Sequence, residues 1–220
     1  MRIKLALAAL LLPVVLFAQE PVTAVPQQEL PPAVVIGGKT KAKYLLRPGA
    51  KAFGDGGIIN FSLLDGLPGG RELGSVVQVK KPFLVKDILL SVHSNHIPGC
   101  VASINIYSIE GNEESFVNVL GRPIHFNVAI SDNPQPFDIR PDEDLLLEPG
   151  KYFIAFQVVG YDEDALQAFL AKPKEDREFW EMTLDINIFL KSSYLRKIAL
   201  GEMEHYPVNI GLAVKGLEYQ

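Results

Sequence analysis

Cysteine and histidine are scarce in this sequence of 220 residues, which contains one cysteine, Cys100, and four histidines. A single cysteine excludes an intramolecular disulfide and leaves no thiol near the N-terminus to carry a lipid. The motifs G-x-S-x-G and H-E-x-x-H do not occur, and neither G-x-G-x-x-G nor a Walker lysine is present. The sequence therefore indicates no serine hydrolase, zinc protease or nucleotide site, and we predict no catalytic residue, no metal and no cofactor.

Long apolar runs are also absent, except at the N-terminus. Arg2 and Lys4 precede an uncharged apolar run at residues 5–17, which Ala18 follows. This order is typical of a secretory signal peptide cleaved after Ala18. The alternative is a membrane anchor, but the run of 13 residues is shorter than the roughly 20 that cross a bilayer. We predict a protein exported to the periplasm or to the outside or cell surface of a Gram-negative bacterium, and not membrane-spanning after signal cleavage.

Positive charge is in short supply too. Without residues 1–18 the chain has 19 basic and 26 acidic residues, which is a net charge of −7. Nucleic acids and anionic membranes bind clustered Lys and Arg, so neither is an expected partner. Residues 19–33 contain four prolines, a composition typical of an extended linker. We predict a signal peptide at 1–18, a Pro-rich linker at 19–33 and one β-sandwich domain at 34–220.

Alternation of apolar and polar residues predicts most of that domain. In residues 124–130 every second side chain is apolar, which directs His125 and Asn127 to the opposite, solvent-exposed face of a strand. The same alternation predicts strands at 184–190 and 208–214, and further runs predict strands at 41–46, 76–80, 84–92 and 101–109. Residues 152–159 are apolar at nearly every position, which predicts a strand covered on both faces. Residues 54–74 contain seven glycines, so we predict a long loop there, part of which packs on the core.

One helix is predicted at residues 162–172. Asp162 is a suitable N-cap, Pro173 lies just past the end, and an apolar stripe is formed by Ala165, Leu166, Phe169 and Leu170. Nine or ten short strands with one helix, and no alternation of strands with helices, predict a mostly β protein. The expected architecture is an antiparallel, jelly-roll-like β-sandwich.

Four groups of residues are candidates for metal binding or catalysis. The close pair His93 and His96 has no third ligand at a suitable spacing, so two exposed histidines at a strand end are favoured over a metal site. Cys100 has no neighbour in sequence that would activate a thiol, and a small buried residue is expected. A structural calcium remains an alternative for the acidic residues at 138–144, although a solvated turn is favoured. The acids Asp162 and Glu163 suit the first turn of the helix.

Trp180 is the side chain of greatest interest for binding. A lone tryptophan on an exported β-sandwich can stack on a sugar ring, although such a residue more often closes one end of the core. We take Trp180, together with His125 and Asn127 on their polar strand face, as the candidate ligand-binding residues.

Five segments resemble a poorly characterised family. They are VKKPF at 79–83, VKDI at 85–88, INIY at 104–107, GRPI at 121–124 and EPGKYF at 148–153. They are similar to exported β-sandwich modules of Bacteroidetes, often found C-terminal to a carboxypeptidase-like regulatory domain. The resemblance covers residues 75–160 and implies the fold, without any catalytic residue; this chain lacks the regulatory domain.

Three functions follow as hypotheses. The first is a non-enzymatic interaction or structural module of the cell envelope, with a protein or glycan of the envelope as partner. The second is a carbohydrate-binding domain that uses Trp180, His125 and Asn127. The third is a hydrolase whose active site is assembled from distant loops, for which a cleft joining histidines to carboxylates would be the sign.

Overall fold

The computed structural model describes residues 39–45, 57–63, 71–111, 114–178, 180–198 and 201–220. The predicted signal peptide, its cleavage point after Ala18, the predicted linker and the predicted start of the domain at residue 34 all lie outside this part of the chain. Within it, no helix is both long enough and apolar enough to span a membrane.

The described residues form fifteen strands, one α-helix and one 3₁₀ turn. The helix α1 is Glu163–Ala171 and the 3₁₀ turn is Lys174–Asp176. In chain order the strands are β1 (Thr40–Tyr44), β2 (Ile58–Ser62), β3 (Glu72–Val79), β4 (Phe83–Asn95), β5 (Val101–Glu110), β6 (Ser115–Asn118), β7 (Ile124–Asn127), β8 (Gln135–Ile139), β9 (Leu145–Leu147), β10 (Gly150–Gly160), β11 (Thr183–Phe189), β12 (Ser193–Arg196), β13 (Glu204–Tyr206), β14 (Asn209–Ile210) and β15 (Leu212–Tyr219).

Two antiparallel sheets are built from these strands. In the eight-stranded sheet, the long strand β4 pairs with β15 and β11 along one edge and with β8 and β9 along the other, while β1, β2 and β14 extend the sheet outward. The seven-stranded sheet has the order β13-β12-β3-β10-β5-β6, and β7 pairs with β5 beside β6. The predicted mostly β, antiparallel sandwich with one short helix is confirmed.

The main core lies between the two sheets. Alternate residues of each central strand point inward, as a pleated strand requires. On β10 these are Tyr152, Ile154, Phe156 and Val158, all buried. Phe156 meets Phe61 of β2 edge to face at 5.2 Å between ring centroids, a geometry that stabilises aromatic pairs beyond simple burial.

The predicted helix is confirmed, with Asp162 as its N-cap. The Asp162 carboxylate accepts a hydrogen bond from the Ala165 backbone N–H at 3.1 Å. Leu166 and Phe169 are buried, but Leu170 is 40% exposed. The buried part of the apolar stripe is therefore narrower than predicted.

The prediction of a loop throughout residues 54–74 is wrong. Strand β2 occupies Ile58–Ser62, and β3 already begins at Glu72. The glycines flank β2 but do not interrupt it, so its five residues pair in regular register with β11. Phe61 and Leu63 pack into the core as expected, whereas Ile58 is exposed.

Other differences from the sequence prediction concern short strands. The structure contains β6, β8, β9, β12 and β13, none of which was predicted. The predicted strand at 208–214 is two strands, β14 and β15, separated at Gly211, whose N–H donates to the carbonyl of Asn187 on β11. Short edge strands carry too few residues for an alternating pattern to be visible.

Cys100 is buried, as predicted, and this burial predicts that its thiol reacts slowly in the native protein. The side chain is 2% exposed, and burial raises the pKa of the thiol to about 12. At pH 8 roughly one thiol in ten thousand is then the reactive thiolate. We expect the native protein to resist alkylation by iodoacetamide at pH 8 and to react fully in concentrated guanidinium chloride. Stoichiometric labelling of the native protein, measured by mass spectrometry, would contradict this burial.

Candidate binding site

The outer face of the seven-stranded sheet is unusual because much of it is buried. Ile154 and its alternating neighbours point into the sandwich, so Lys151, Phe153 and Ala155 of β10 point outward. Phe153 is nevertheless fully buried. Its cross-strand partners on this face are Val76 of β3 and Tyr107 of β5.

An aromatic cluster covers Phe153. Phe116 lies edge to face with both Phe153 and Tyr194, at ring centroid distances of 6.0 and 4.8 Å. Tyr194 also meets Phe153 at 5.8 Å, and Tyr107 stacks on Phe153 at 6.2 Å. The cluster joins strands β5, β6, β10 and β12 into one rigid platform on the outside of the sheet.

A network of four polar side chains lies on that platform. The ammonium of Lys151 donates to Glu114 Oε1 at 3.0 Å and to the Tyr194 hydroxyl at 3.3 Å. The other oxygen of Glu114, Oε2, lies 3.3 Å from His205 Nε2. The His205 ring lies against Tyr194 with the ring centroids 4.8 Å apart. These contacts link the turn before β6 to strands β10, β12 and β13.

The network moves three pKa values away from neutrality. Hydrogen bonds from Tyr194 and Lys151 hold the pKa of Glu114 below its usual range. Hydrogen bonds with Glu114 and Tyr194 raise the pKa of Lys151, and burial, helped by Glu114, raises that of Tyr194. At pH 7 Glu114 is thus a carboxylate, Lys151 an ammonium and Tyr194 a neutral phenol. These three groups are suited to fixed hydrogen bonding and not to proton transfer.

A groove opens beside this network. Its volume is about 440 Å³, and it is lined by Leu45, Val76, Val77, Gln78, Lys151, Lys191, Ser192, Tyr194 and His205. Val76, Lys151 and Tyr194 belong to the seven-stranded sheet, whereas Leu45 follows β1 of the other sheet and the Val77 side chain points into the core. The size of the groove and its mixture of apolar and polar residues are those of a small-ligand site.

A second polar network, centred on Glu72, lies deeper on the same face. Glu72 is 3% exposed; its Oε1 accepts from Tyr107 Oη at 2.8 Å and from Asn105 Nδ2 at 3.0 Å. Its Oε2 lies 3.3 Å from Arg196 Nη1. The guanidinium of Arg196 also lies over the Tyr107 ring, 5.3 Å from its centroid.

Two small residues make room for this deeper network. Ala155 of β10 lies between Gly74 of β3 and Asn105 of β5 in one cross-strand row. A larger side chain at that row would occupy the space above β10 through which the Glu72 carboxylate contacts β5. The network thereby connects Arg196 on β12 with Tyr107, which stacks on Phe153 beneath the groove.

The structure places His125 and Asn127 on the outer face of this same sheet. Both are exposed and point away from the core, because their neighbour Phe126 packs inward against Phe156. His125 pairs with Ser103 of β5, which pairs with Gln157 of β10. Lys151 is six residues from Gln157, or about 20 Å along a strand, so His125 and the groove are far apart on one face.

Trp180 belongs to a different part of the sandwich. It lies in the turn before β11, a strand of the eight-stranded sheet, and Trp180 is 45% exposed. Its backbone carbonyl accepts a hydrogen bond from Thr183 Oγ1 at 2.5 Å. The three predicted ligand-binding residues are thus divided between the two sheets.

The remaining candidates are His93, His96 and the acidic segment at 138–144. His93 and His96 are half-buried and not exposed as predicted; His96 Nε2 contacts Asp132 Oδ1 at 2.8 Å. Asp144 of the acidic segment lies 3.5 Å from Lys86 Nζ. Within the described ranges, no three His, Cys, Asp or Glu side chains converge as a metal site would require.

Sequence reasoning missed the groove and both networks. Lys151 is the one detectable signal, because it begins an otherwise apolar strand at a position that points outward. Glu72 lies in the segment predicted to be a loop, and Tyr194 and His205 lie on strands too short to be predicted. No family model, no curated protein and no solved structure matches this chain.

Proposed function

We propose that this protein is an exported, non-enzymatic binding module of the Gram-negative cell envelope, and that its ligand, an envelope glycan, occupies the groove beside Lys151. The observation that carries the proposal is the groove itself: an open volume of about 440 Å³ whose polar wall is already held in position by hydrogen bonds. Prealigned groups lose little side-chain entropy when a ligand binds.

The pKa values of the polar groups beside the groove support binding over catalysis. Lys151, Glu114 and Tyr194 have pKa values shifted away from neutral pH, whereas general acids and bases have values near the working pH.

The sequence pattern of residues 1–18 supports export. The resemblance to exported Bacteroidetes modules supports an envelope location and is itself a part of the proposal.

A glycan is the preferred ligand because the groove combines apolar and polar surface. Val76 and Leu45 offer apolar contact, while Gln78, Ser192 and Lys191 offer hydrogen-bonding groups. Sugar rings present both an apolar face and hydroxyls, and such surfaces match them.

The test is a steric block of the groove. Ser192 is exposed in the turn before β12, so Ser192→Trp is expected to fill the groove while changing the free energy of unfolding by less than about 0.5 kcal/mol. The full chain, expressed with its own N-terminal segment and purified from the periplasm, is screened against a panel of polysaccharides. We expect retention by one glycan and at least a tenfold weaker retention of Ser192→Trp.

Trp180→Ala is the matched variant for the alternative site. Trp180 is 45% exposed, which favours a sugar-stacking role as the second candidate function. Retention that survives Ser192→Trp and disappears in Trp180→Ala would move the site to Trp180. Recovery of the chain only from the cytoplasm, with residues 1–18 retained, would contradict export. The absence of retention by any glycan would contradict the glycan proposal, and cross-linking in the envelope would then test for a protein partner.

A further inference from the structure

The groove carries a lysine without an ion-pair partner. Lys191 is exposed in the turn between β11 and β12 and lines the groove. It takes part in none of the ten ion pairs found among the described residues. Its three N–H donors are therefore available to a ligand.

Lys151 of β10, which also lines the groove, adds one more donor. Its ammonium has three N–H groups, and two of them are used by Glu114 and Tyr194. Those two bonds also hold the ammonium in position at the groove. The third N–H remains for a ligand, and the raised pKa of Lys151 keeps it charged.

Hydroxyl-binding groups flank the two lysines. Gln78 donates its amide N–H to the carbonyl of Gly150 at 2.9 Å, which leaves the Gln78 side-chain oxygen as an acceptor. Ser192, next to Lys191, offers a hydroxyl that both donates and accepts. A ligand that suits the groove therefore has an anionic group between the lysines and hydroxyls beside it.

The protein as a whole is acidic, with a net charge of −5, or −7 without residues 1–18. At physiological ionic strength charges beyond about 8 Å are largely screened, so the field inside the groove is set by the charges next to it. The Glu114 carboxylate offsets much of the Lys151 charge, whereas no ion pair among the described residues offsets the charge of Lys191. The acidic surface elsewhere disfavours unspecific adsorption of polyanions.

We infer that the groove binds the carboxylate of an acidic polysaccharide, one that contains uronic acid units. Lys191 and Lys151 contact the carboxylate, and Gln78 and Ser192 contact neighbouring hydroxyls. This inference rests on the proposed function and narrows its ligand from glycans in general to uronate-containing ones.

The test compares polygalacturonate with the same polymer after methyl esterification, using the full chain purified from the periplasm. Esterification removes the negative charge and retains the sugar backbone. We expect retention by polygalacturonate, at least tenfold weaker retention by the ester, and at least tenfold weaker binding of Lys191→Gln to polygalacturonate. Lys174→Gln is the matched control: Lys174 is exposed in the 3₁₀ turn after α1 and is not among the residues that line the groove, so the binding of this variant should equal that of the wild type.

Each alternative outcome has a distinct meaning. Equal retention by the ester, or unchanged binding of Lys191→Gln, would overturn this inference and leave the proposed glycan function in place. Equal retention by dextran sulfate, whose anionic group is a sulfate ester, would show charge attraction without uronate recognition and would also overturn it. A failure of every polysaccharide to be retained would contradict the proposed function itself.

Discussion

Replacement of Glu72 by alanine is expected to lower the free energy of unfolding by about 3–5 kcal/mol, because it breaks a buried ion pair and leaves one partner charged. The Arg196 side chain is 17% exposed and that of Glu72 is 4% exposed. The substitution also removes the acceptor of the Tyr107 hydroxyl and of the Asn105 amide. Unsatisfied buried donors add to the loss.

The measurement is urea unfolding of Glu72→Ala beside two further variants. Glu72→Gln retains an oxygen that accepts from Tyr107 and Asn105 and loses only the charge, so we expect an intermediate loss of about 1–3 kcal/mol. Glu148→Ala, at an exposed position, should change stability by less than about 0.5 kcal/mol. If Glu72→Ala were as mild as Glu148→Ala, the Glu72 network would have no structural role.

The second large effect is expected at Gly74. A Cβ atom built there would lie 2.0 Å from the carbonyl oxygen of Ile154 and 2.7 Å from the Phe153 ring. The oxygen belongs to the backbone of the neighbouring strand β10, so relief requires the separation of β3 from β10. We expect Gly74→Ala to reduce stability by about 3 kcal/mol or more, at or beyond the upper end of the usual penalty for overpacking.

Gly121→Ala is the matched control for that variant, because a Cβ at Gly121 meets nothing within 4 Å. It should leave stability unchanged or raise it by a few tenths of a kcal/mol through a less flexible unfolded chain. Chemical unfolding of both variants decides the matter. Equal stability of Gly74→Ala and Gly121→Ala would mean that β3 and β10 are not as closely paired as described.

The variants Glu72→Ala and Gly74→Ala should also affect the groove. Phe153 contacts Tyr194, which lines the groove. A Cβ at Gly74 would press on the Phe153 ring, and Glu72 is joined to that ring through Tyr107. Variants that disturb this platform should weaken ligand binding along with stability, whereas Ser192→Trp and Lys191→Gln should weaken binding alone. This difference separates loss of the site from loss of its support.

Some of the fold was accessible from the sequence because it depends on local periodicity. The period of two in residues 124–130 correctly placed His125 and Asn127 on an exposed strand face, and the Asp162 cap with its apolar stripe correctly placed α1. Both patterns depend on the directions in which side chains leave the backbone of a single strand or helix. Neither needs information about distant parts of the chain.

The antiparallel β-sandwich, its one capped helix and the buried thiol could be predicted from the sequence, because alternation, capping and composition act over a few residues. The candidate binding site could not, because it depends on long-range pairing. Glu114, Lys151, Tyr194 and His205 come from four segments spread over about ninety residues, and sheet pairing brings them together. Strand register is set by packing across the whole sandwich, so no local pattern announces which polar residues will share a face.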